Sequence, residues 1–187
     1  MTLTQAGRLL AIETPLGPDV CQLEEMTGSE EVCSLFSFRL RIRSKRQDVA
    51  PSELVGLPVS WTLELPGGAR REWSGVVGAL EAGPTLGDGM RAYVVTAHPW
   101  LWLFGHTSDC RIFQHKTTQQ ILETIFDEAG IHDADFSGVV GPKTPREYCV
   151  QYNETDLRFI FRLLEEEGWA WWFRHEPGQE GEAGRHV

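Results

Sequence analysis

The sequence has few basic residues for its length. Its 187 residues include 17 Lys and Arg against 27 Asp and Glu, which gives a formal net charge of −10. Nucleic-acid binding depends on basic side chains that neutralise phosphate charges, so this balance argues against a nucleic-acid partner. The one local basic cluster, over 39–46, alternates with Phe38, Leu40 and Ile42. We interpret it as the solvated face of a strand rather than an anion site.

Long hydrophobic runs are also missing. No run approaches the roughly 20 apolar residues of a membrane span. The start of the sequence, MTLTQAGRLLAIETPLG, lacks the basic and apolar regions of a Sec-type signal peptide. The four cysteines are widely spaced and form no CxxC pair, which favours free thiols in a reducing compartment. We therefore expect a protein that is made in the cytoplasm and has no membrane span.

Motifs of catalysis, metal binding and phosphate binding are absent from the sequence. It contains no GxSxG, HExxH, GxGxxG or P-loop pattern, and its six histidines stand singly. Cys110 lies near His106 and His115 in sequence, which leaves a hydrolase as a minor alternative. The carboxylates in LEEEGW run along one predicted helix end, whereas glycoside hydrolysis needs carboxylates that face each other across a cleft. We predict no catalytic residues, no cofactor and no metal.

The stretch 1–110 has the pattern of short antiparallel strands. Leu35–Arg43 is apolar at every second position, as in a half-buried strand. Val59–Val77 predicts a hairpin around Pro66-Gly67-Gly68, and Ala92–Phe104 predicts a further strand. Frequent Gly and Pro turns between such strands are typical of a barrel or sandwich. We predict a β-barrel module over 1–110.

The stretch 111–187 changes to helical periodicity. Thr117 and Gln120 have the spacing of a capping box, and Gly130 suits a left-handed helix stop. The apolar stripe of this first helix comprises Ile121, Leu122, Ile125, Phe126 and Ala129. We predict a helix–strand–helix–strand segment packed on the barrel, which makes the fold class α+β and mainly antiparallel β.

A second helix is predicted between Asn153, as its N-cap, and Gly168, where it ends. Its predicted buried stripe comprises Leu157, Ile160, Phe161 and Leu164. The aromatic run WAWWFRHE that follows predicts a strand. The polar tail stops as if another strand were beginning, so we expect the chain to be truncated at Val187.

The end of this second helix is a candidate interface. Three glutamates lie at the helix C-terminus, where the helix dipole disfavours negative charge. Their presence there indicates that they contact a partner, although a solvated helix end remains an alternative. The tryptophans after them fit a core or an interface better than a sugar platform. The candidate interface comprises Glu165, Glu166, Glu167, Trp169, Trp171 and Trp172.

Several long motifs resemble the N-terminal hub region of VgrG proteins, the spike of the bacterial type VI secretion system. They are a Pro-Trp-Leu strand, an Arg-Ile-Phe-Gln turn before a helix, a run from Arg146 to Thr155, and a helix end from Arg162 to Gly168. The matching positions are Pro99, Trp100, Arg111, Phe113, Gln114, Arg146, Glu147, Tyr148, Gln151, Tyr152, Glu154, Thr155, Arg162 and Gly168. Trp169, Trp171 and Trp172 depart from the family, which more often has Ile and Tyr residues there.

The resemblance implies a fold like the phage baseplate hub. It also implies a homotrimer whose repeated barrels form a pseudo-sixfold ring that matches a hexameric tube protein. Baseplate components and effectors or adaptor proteins are further implied partners, and the type VI machinery would export the protein without a signal peptide. The family hub has no known catalytic residues. Two alternatives remain: a hub of a phage or phage-like tail, and a carbohydrate-binding module.

Overall fold

The computed structural model describes residues 4–141, 143–178 and 184–187. Its contacts divide the chain into two compact units. Unit 1 holds the chain up to Pro99 together with Phe173–His186, and unit 2 holds Trp100–Trp172 with Val187. These limits differ from the boundary at 110 that the sequence suggested. The last strands belong to unit 1 because they contact a strand of its sheet.

The regular elements follow one another along the chain as strands first and helices later. The strands are β1 Leu10–Glu13, β2 Cys21–Ser29, β3 Ser37–Ser44, β4 Pro58–Glu64, β5 Arg70–Thr85, β6 Arg91–His98, β7 Ser108–Lys116, β8 Arg146–Thr155, β9 His175–Glu176 and β10 Arg185–His186. The α-helices are α1 Thr118–Glu128 and α2 Asp156–Glu167, and short 3-10 helices cover Pro51–Glu53 and Trp100–Gly105.

Unit 1 is a nearly closed, barrel-like antiparallel sheet. Its six strands follow the order β1-β4-β5-β6-β3-β2, and the two end strands contact each other. The alternation predicted for β3 is confirmed, since Phe38, Leu40 and Ile42 are buried. The hairpin predicted around Pro66-Gly67-Gly68 is confirmed as β4 and β5. The antiparallel β fold predicted from the sequence is therefore correct.

Aromatic rings fill the interior of this sheet. The rings of Trp61 and Trp73 stack with centroids 6.4 Å apart, and Phe38 packs against both. Trp61 is fully buried, and Phe36 is 1% exposed. Because each large aromatic buries about 150–250 Å² of surface, these four rings provide much of the hydrophobic stabilisation of unit 1.

Side chains close the seam between β1 and β2, where strand hydrogen bonds stop. The carboxamide of Gln5 donates to the Ile12 carbonyl at 2.9 Å and accepts from the Ile12 N–H at 2.9 Å. Across the seam, Arg8 donates to the Gln22 side-chain oxygen at 3.2 Å. The Gln22 side chain in turn donates to the Thr4 carbonyl at 3.2 Å. Side chains thus satisfy strand-edge groups that would otherwise be left without partners.

The basic face of β3 is a solvated strand face, as predicted from the sequence. Its arginines form ion pairs at the solvent-accessible surface with acidic groups on neighbouring strands and turns: Arg39–Glu81 at 3.0 Å, Arg41–Glu25 at 3.2 Å and Arg43–Asp88 at 3.3 Å.

Two predicted strands are wrong in part. The strand predicted over Ala92–Phe104 ends at His98, and Trp100–Gly105 is a 3-10 helix. Pro99 has no N–H to donate to a ladder, so pairing stops there. The strand predicted over 169–176 is limited to His175–Glu176, because only these residues pair with a second strand.

Unit 2 consists of the antiparallel β7–β8 ribbon with α1 and α2. The capping box of α1 is confirmed: the Thr117 hydroxyl accepts from the Gln120 N–H at 3.2 Å, and the Gln120 side chain accepts from the Thr117 N–H at 2.9 Å. Gly130 has a φ of 70°, as a left-handed stop requires. The predicted stripe of α1 is buried except for Ala129, which is exposed.

The predicted start of α2 is wrong, and its predicted buried stripe is correct only at Ile160 and Leu164. Thr155, not Asn153, is the N-cap, and its hydroxyl accepts from the Arg158 N–H at 3.2 Å. Asn153 has a φ of 53°, whereas an N-cap residue needs an extended backbone. The buried apolar residues of α2 are Phe159, Ile160, Leu163 and Leu164, while Leu157 and Phe161 are half-buried. Within the described ranges, neither helix has the length and apolar character that a bilayer crossing requires.

Candidate interaction surface

The β7–β8 ribbon has a buried inner face. Phe113 of β7 lies opposite Cys149 of β8, and both are buried. The Phe113 ring stacks on Phe159 of α2 with centroids 6.0 Å apart. Alternation along a strand then forces the neighbouring side chains of both strands onto the opposite face.

The outer face of the ribbon is apolar and aromatic. Ile112 is 64% exposed, Tyr148 is 56% exposed and Tyr152 is 76% exposed, while Val150 is half-buried directly opposite Ile112. We call these four residues the ribbon face. In the part of the chain that the structure describes, β7 and β8 pair only with each other, so neither outer edge of the ribbon is paired with a further strand. Exposed apolar surface beside open strand edges is typical of a protein-binding site.

A buried ion pair fixes the ribbon to the start of α2. Arg111 of β7 donates to Asp156 of α2 at 2.6 Å and to the side-chain oxygen of Gln151 at 2.7 Å. Gln151 donates to the same Asp156 oxygen at 2.6 Å. Burial raises the pKa of Asp156, but hydrogen bonds from Gln151, Thr107 and Arg111 outweigh burial and hold this pKa below its usual value. Arg111 and Gln151 belong to the motif that carries the family resemblance.

Arg162 of α2 ties the helix to the far end of β8. Its guanidinium donates to Glu154 at 2.6 Å and to the Val150 carbonyl at 2.9 Å. It also lies 5.0 Å from the centroid of the Phe159 ring. Arg162 and Glu154 therefore hold the backbone behind the ribbon face.

Arg146 supplies the partner that the glutamates at the end of α2 need. It forms ion pairs with Glu166 and, at 2.7 Å, with Glu167. The Thr118 hydroxyl of α1 also donates to Glu167 at 2.5 Å. Hydrogen bonds from Arg146 to Glu166, and from Thr118 and Arg146 to Glu167, lower the pKa of both carboxyls. Glu166 and Glu167 thus join α2 to β8 and α1, although all three glutamates, Glu165 included, are exposed to solvent.

The tryptophans after α2 differ in exposure. Trp171 stacks on Phe161 with centroids 5.3 Å apart, and Trp169 is half-buried. Trp172 is 63% exposed. In the Pro-Trp-Leu motif, Trp100 packs edge-on against Phe126 of α1 at 5.2 Å. These rings do not form the exposed planar row that a sugar platform needs.

The remaining motif residues have local roles or lie on the ribbon. Pro99 is buried at the end of the sheet segment, and Gly168 ends α2 with a φ of 67°. Gln114 and Glu147 are exposed on the ribbon. Sequence reasoning missed Ile112 as a surface residue, although its alternation with Phe113 was visible in the sequence.

The side chains considered for catalysis do not assemble into a site. Cys110 is exposed on β7, and neither His106 nor His115 hydrogen-bonds to it within the described ranges. His106 instead packs edge-on against Trp102 at 4.3 Å. Among the residues that the structure describes, no group of three or more His, Cys, Asp or Glu side chains is placed to hold a metal ion.

Comparisons with known proteins agree on one family. The family model described as phage tail baseplate hub matches residues 29–186. Two type VI secretion system spike proteins of Pseudomonas aeruginosa, VgrG1c and VgrG1a, are 42% and 43% identical over 94% and 92% of this chain. The chain spans about a quarter of the length of these relatives, 24% and 26%.

Two solved structures share the fold. The E. coli c3393 protein is described as a component of the type VI secretion system with structural similarity to the T4 bacteriophage tail proteins gp27 and gp5. It has a TM-score of 0.69 and 22% identity, and the match covers 97% of this chain and 46% of that one. A half-lidded Francisella PdpA–VgrG complex has a TM-score of 0.64 and 10% identity, and the match covers 95% of this chain and 30% of that one.

Proposed function

Because this chain belongs to the phage tail baseplate hub family, we propose that it forms the hub of a type VI secretion spike. Its similarity to spike proteins over more than nine-tenths of its length carries the proposal. The function is structural: the hub forms a trimeric base that docks on a hexameric tube protein and helps to carry effectors into target cells. The protein is made in the cytoplasm and exported by the type VI machinery.

We further propose that the ribbon face binds a second copy of the chain. Interfaces between permanently associated copies are more apolar than transient ones, and the ribbon face is apolar and aromatic. The buried Arg111–Asp156 pair and the Arg162–Glu154 pair make its support rigid, so little ordering opposes association. Trp172 and Glu165, both exposed, are proposed as additional contacts.

Gene deletion in the bacterium that encodes the chain tests the proposed function. A secretion hub is needed before the tube can be fired, so deletion should abolish release of the tube protein into the medium. Complementation with the intact gene should restore release. Unchanged release from the deletion strain would contradict a role in the spike.

A hub of a phage-like tail is the second candidate. It is favoured by the family description and by the fold of a Shewanella oneidensis prophage MuSo2 tail protein, with a TM-score of 0.52 and 18% identity. In that case the same deletion should abolish phage-like particles in induced cultures and leave tube release unchanged. Electron microscopy of the culture medium therefore distinguishes the two candidates.

Substitution of the ribbon face tests the proposed surface. Tyr148→Ser with Tyr152→Ser should abolish tube release at unchanged protein abundance, because the substitutions remove exposed aromatic area and leave the core intact. Val140→Ser is a matched control, since Val140 is 90% exposed elsewhere in unit 2. Normal release from the double variant would place the contact between copies on another surface.

A further inference from the structure

Four polar side chains of unit 1 meet where β9 and β10 contact β5. The Nε2 atom of His175 lies 2.7 Å from Glu30 Oε1, and its Nδ1 atom lies 3.0 Å from the backbone nitrogen of Ser74. The Ser74 hydroxyl lies 3.4 Å from the Nδ1 atom of His186. Ser74 is 1% exposed and His186 is 5% exposed. We call these four residues, Glu30, Ser74, His175 and His186, the histidine cluster.

Geometry defines the protonation state of His175. The Ser74 backbone nitrogen can only donate, so Nδ1 of His175 must accept and carries no proton. Its proton therefore lies on Nε2 and is donated to the Glu30 carboxylate. A second proton on Nδ1 would direct two N–H groups at each other and remove the acceptor of the Ser74 N–H. The closed arrangement therefore requires a neutral His175.

Burial likewise favours the neutral form of the His186 imidazole. Its ring packs against Phe36 and Phe173 with centroids 5.4 and 5.6 Å away. The ring of His175 lies 5.9 Å away. Burial, followed by repulsion from His175, lowers the pKa of His186 to about 3. Burial also lowers the pKa of His175, although Glu30 opposes that change.

The charged groups around the cluster are already engaged. From β5, Arg71 donates to Glu30 at 2.8 Å, and Glu72 accepts from the Gly178 N–H at 3.2 Å. The Nε1 of Trp73 also donates to Glu30 at 2.8 Å. Around β9 and β10, Glu176 pairs with Arg174 at 3.3 Å and with Arg185 at 2.7 Å. The Glu30 carboxylate that accepts from His175 is therefore shared with Arg71 and Trp73.

We propose that the histidine cluster is an acid-sensitive latch that holds strands β9 and β10 on β5. At neutral pH both imidazoles are neutral, and the two strands cover Phe36 and the Ser74 N–H. Protonation in acid places two positive rings side by side in a buried site, so β9 and β10 detach from β5. This latch lies in unit 1, whereas the ribbon face belongs to unit 2, and the latch does not depend on the proposed function.

The direction of the pH effect follows from linkage. An unfolded histidine has a pKa of about 6.5, and both cluster histidines have lower pKa values in the closed state. The closed state is therefore fully stabilised above about pH 6.5 and loses stability as pH falls below that value. One histidine raises the opening constant by up to about tenfold per pH unit. When the pH falls from 7 to 5, protonation of His186 alone should raise the opening constant by roughly 20-fold.

Hydrogen exchange of the Ser74 amide measures latch opening directly, because His175 accepts this N–H. After correction for intrinsic exchange, the Ser74 opening constant should rise at least about 20-fold from pH 7 to pH 5. The Leu40 amide, in the middle of the sheet, should change much less. A rise below about threefold at Ser74, or an equal rise at Leu40, would overturn the local latch.

Two variants assign the effect to the cluster. His186→Phe keeps an aromatic ring between Phe36 and Phe173 but cannot be protonated. The increase in the Ser74 opening constant from pH 7 to pH 5 should therefore be at least about tenfold smaller in this variant than in the wild-type protein. His132→Gln alters an exposed histidine of unit 2 and should leave the wild-type profile unchanged. A wild-type profile in His186→Phe would overturn the proposal. If that variant does not fold, proton NMR of the wild-type decides: a His186 ring that titrates near pH 6.5 in the closed state would also overturn it.

Discussion

At the residue scale, the buried Arg111–Asp156 pair joins the ribbon to the start of α2. The Arg111 side chain is 16% exposed and that of Asp156 is 5% exposed, whereas the exposed pair Arg39–Glu81 has exposures of 55% and 57%. Removal of one partner from a buried pair leaves an uncompensated charge, while exposed pairs contribute little.

Arg111→Met should therefore lower the free energy of unfolding by about 3 kcal/mol, because Asp156 would lose its ion pair in a buried site. Arg39→Met, the matched control, should lower it by less than about 1 kcal/mol. Urea unfolding at pH 7 measures both. Equal losses in the two variants would mean that Asp156 gains water or another partner when Arg111 is removed.

Three carboxyls of unit 2 should also make the protein sensitive to acid. Asp156, Glu166 and Glu167 have pKa values below their usual values, so they stabilise the folded state when ionised. Their contribution is present above about pH 5 and is lost as pH falls through the folded pKa values. Glu167→Gln should therefore show a smaller loss of stability between pH 5 and pH 3 than the wild-type protein. Urea midpoints at these pH values measure the difference, and parallel losses would contradict the prediction.

At the scale of elements, α2 shows how one helix is oriented by its packing. Phe159 is fully buried against Phe113 of the ribbon, whereas Phe161 is half-buried against Trp171. The sequence suggested Phe161 for the buried stripe. Both residues fit an apolar stripe at helical spacing, and only the position of the ribbon distinguishes them.

Truncation of these two phenylalanines tests the register of α2. Phe159→Ala should lower the free energy of unfolding by about 3–5 kcal/mol, since it leaves a cavity in the core. Phe161→Ala, which removes the same atoms from a half-buried site, should lower it by less than about 2 kcal/mol. Chemical denaturation measures both values. A larger loss for Phe161→Ala would restore the register that the sequence suggested.

At the scale of the whole molecule, charge and apolar surface act against each other. The net charge of −10 makes copies repel, most strongly at low salt. The ribbon face favours association, but association must also overcome several kcal/mol of lost translational and rotational freedom. Repulsion and this entropy loss should therefore outweigh one exposed patch at low concentration.

We predict that the 187-residue chain is a monomer or only a weak oligomer at micromolar concentration, and that added salt strengthens its association. Sedimentation equilibrium at low and high salt measures both effects. Tyr148→Ser with Tyr152→Ser should remove the salt-induced association, while Val140→Ser should not. A stable trimer that survives dilution would mean that these 187 residues drive assembly by themselves.

The sequence by itself determined the features whose signals are local. The alternation of β3, the turn between β4 and β5 and the capping box of α1 each depend on residues within a few positions of one another, and each was predicted correctly. The long family motifs likewise identify the hub family, because they are continuous stretches of sequence whose recognition needs no knowledge of distant contacts.

Only the tertiary structure decided the features that depend on distant residues. Arg146 lies 20 residues before Glu166, and Glu30 lies 145 residues before His175, so no local pattern could reveal either pair. The aromatic run after α2 resembles a strand, yet a strand forms only where a second strand supplies backbone partners, and from 169 to 174 none does. Likewise, the position of the ribbon decides which side chains of α2 are buried. Local chemistry specifies each element, and contacts between distant elements specify its partners.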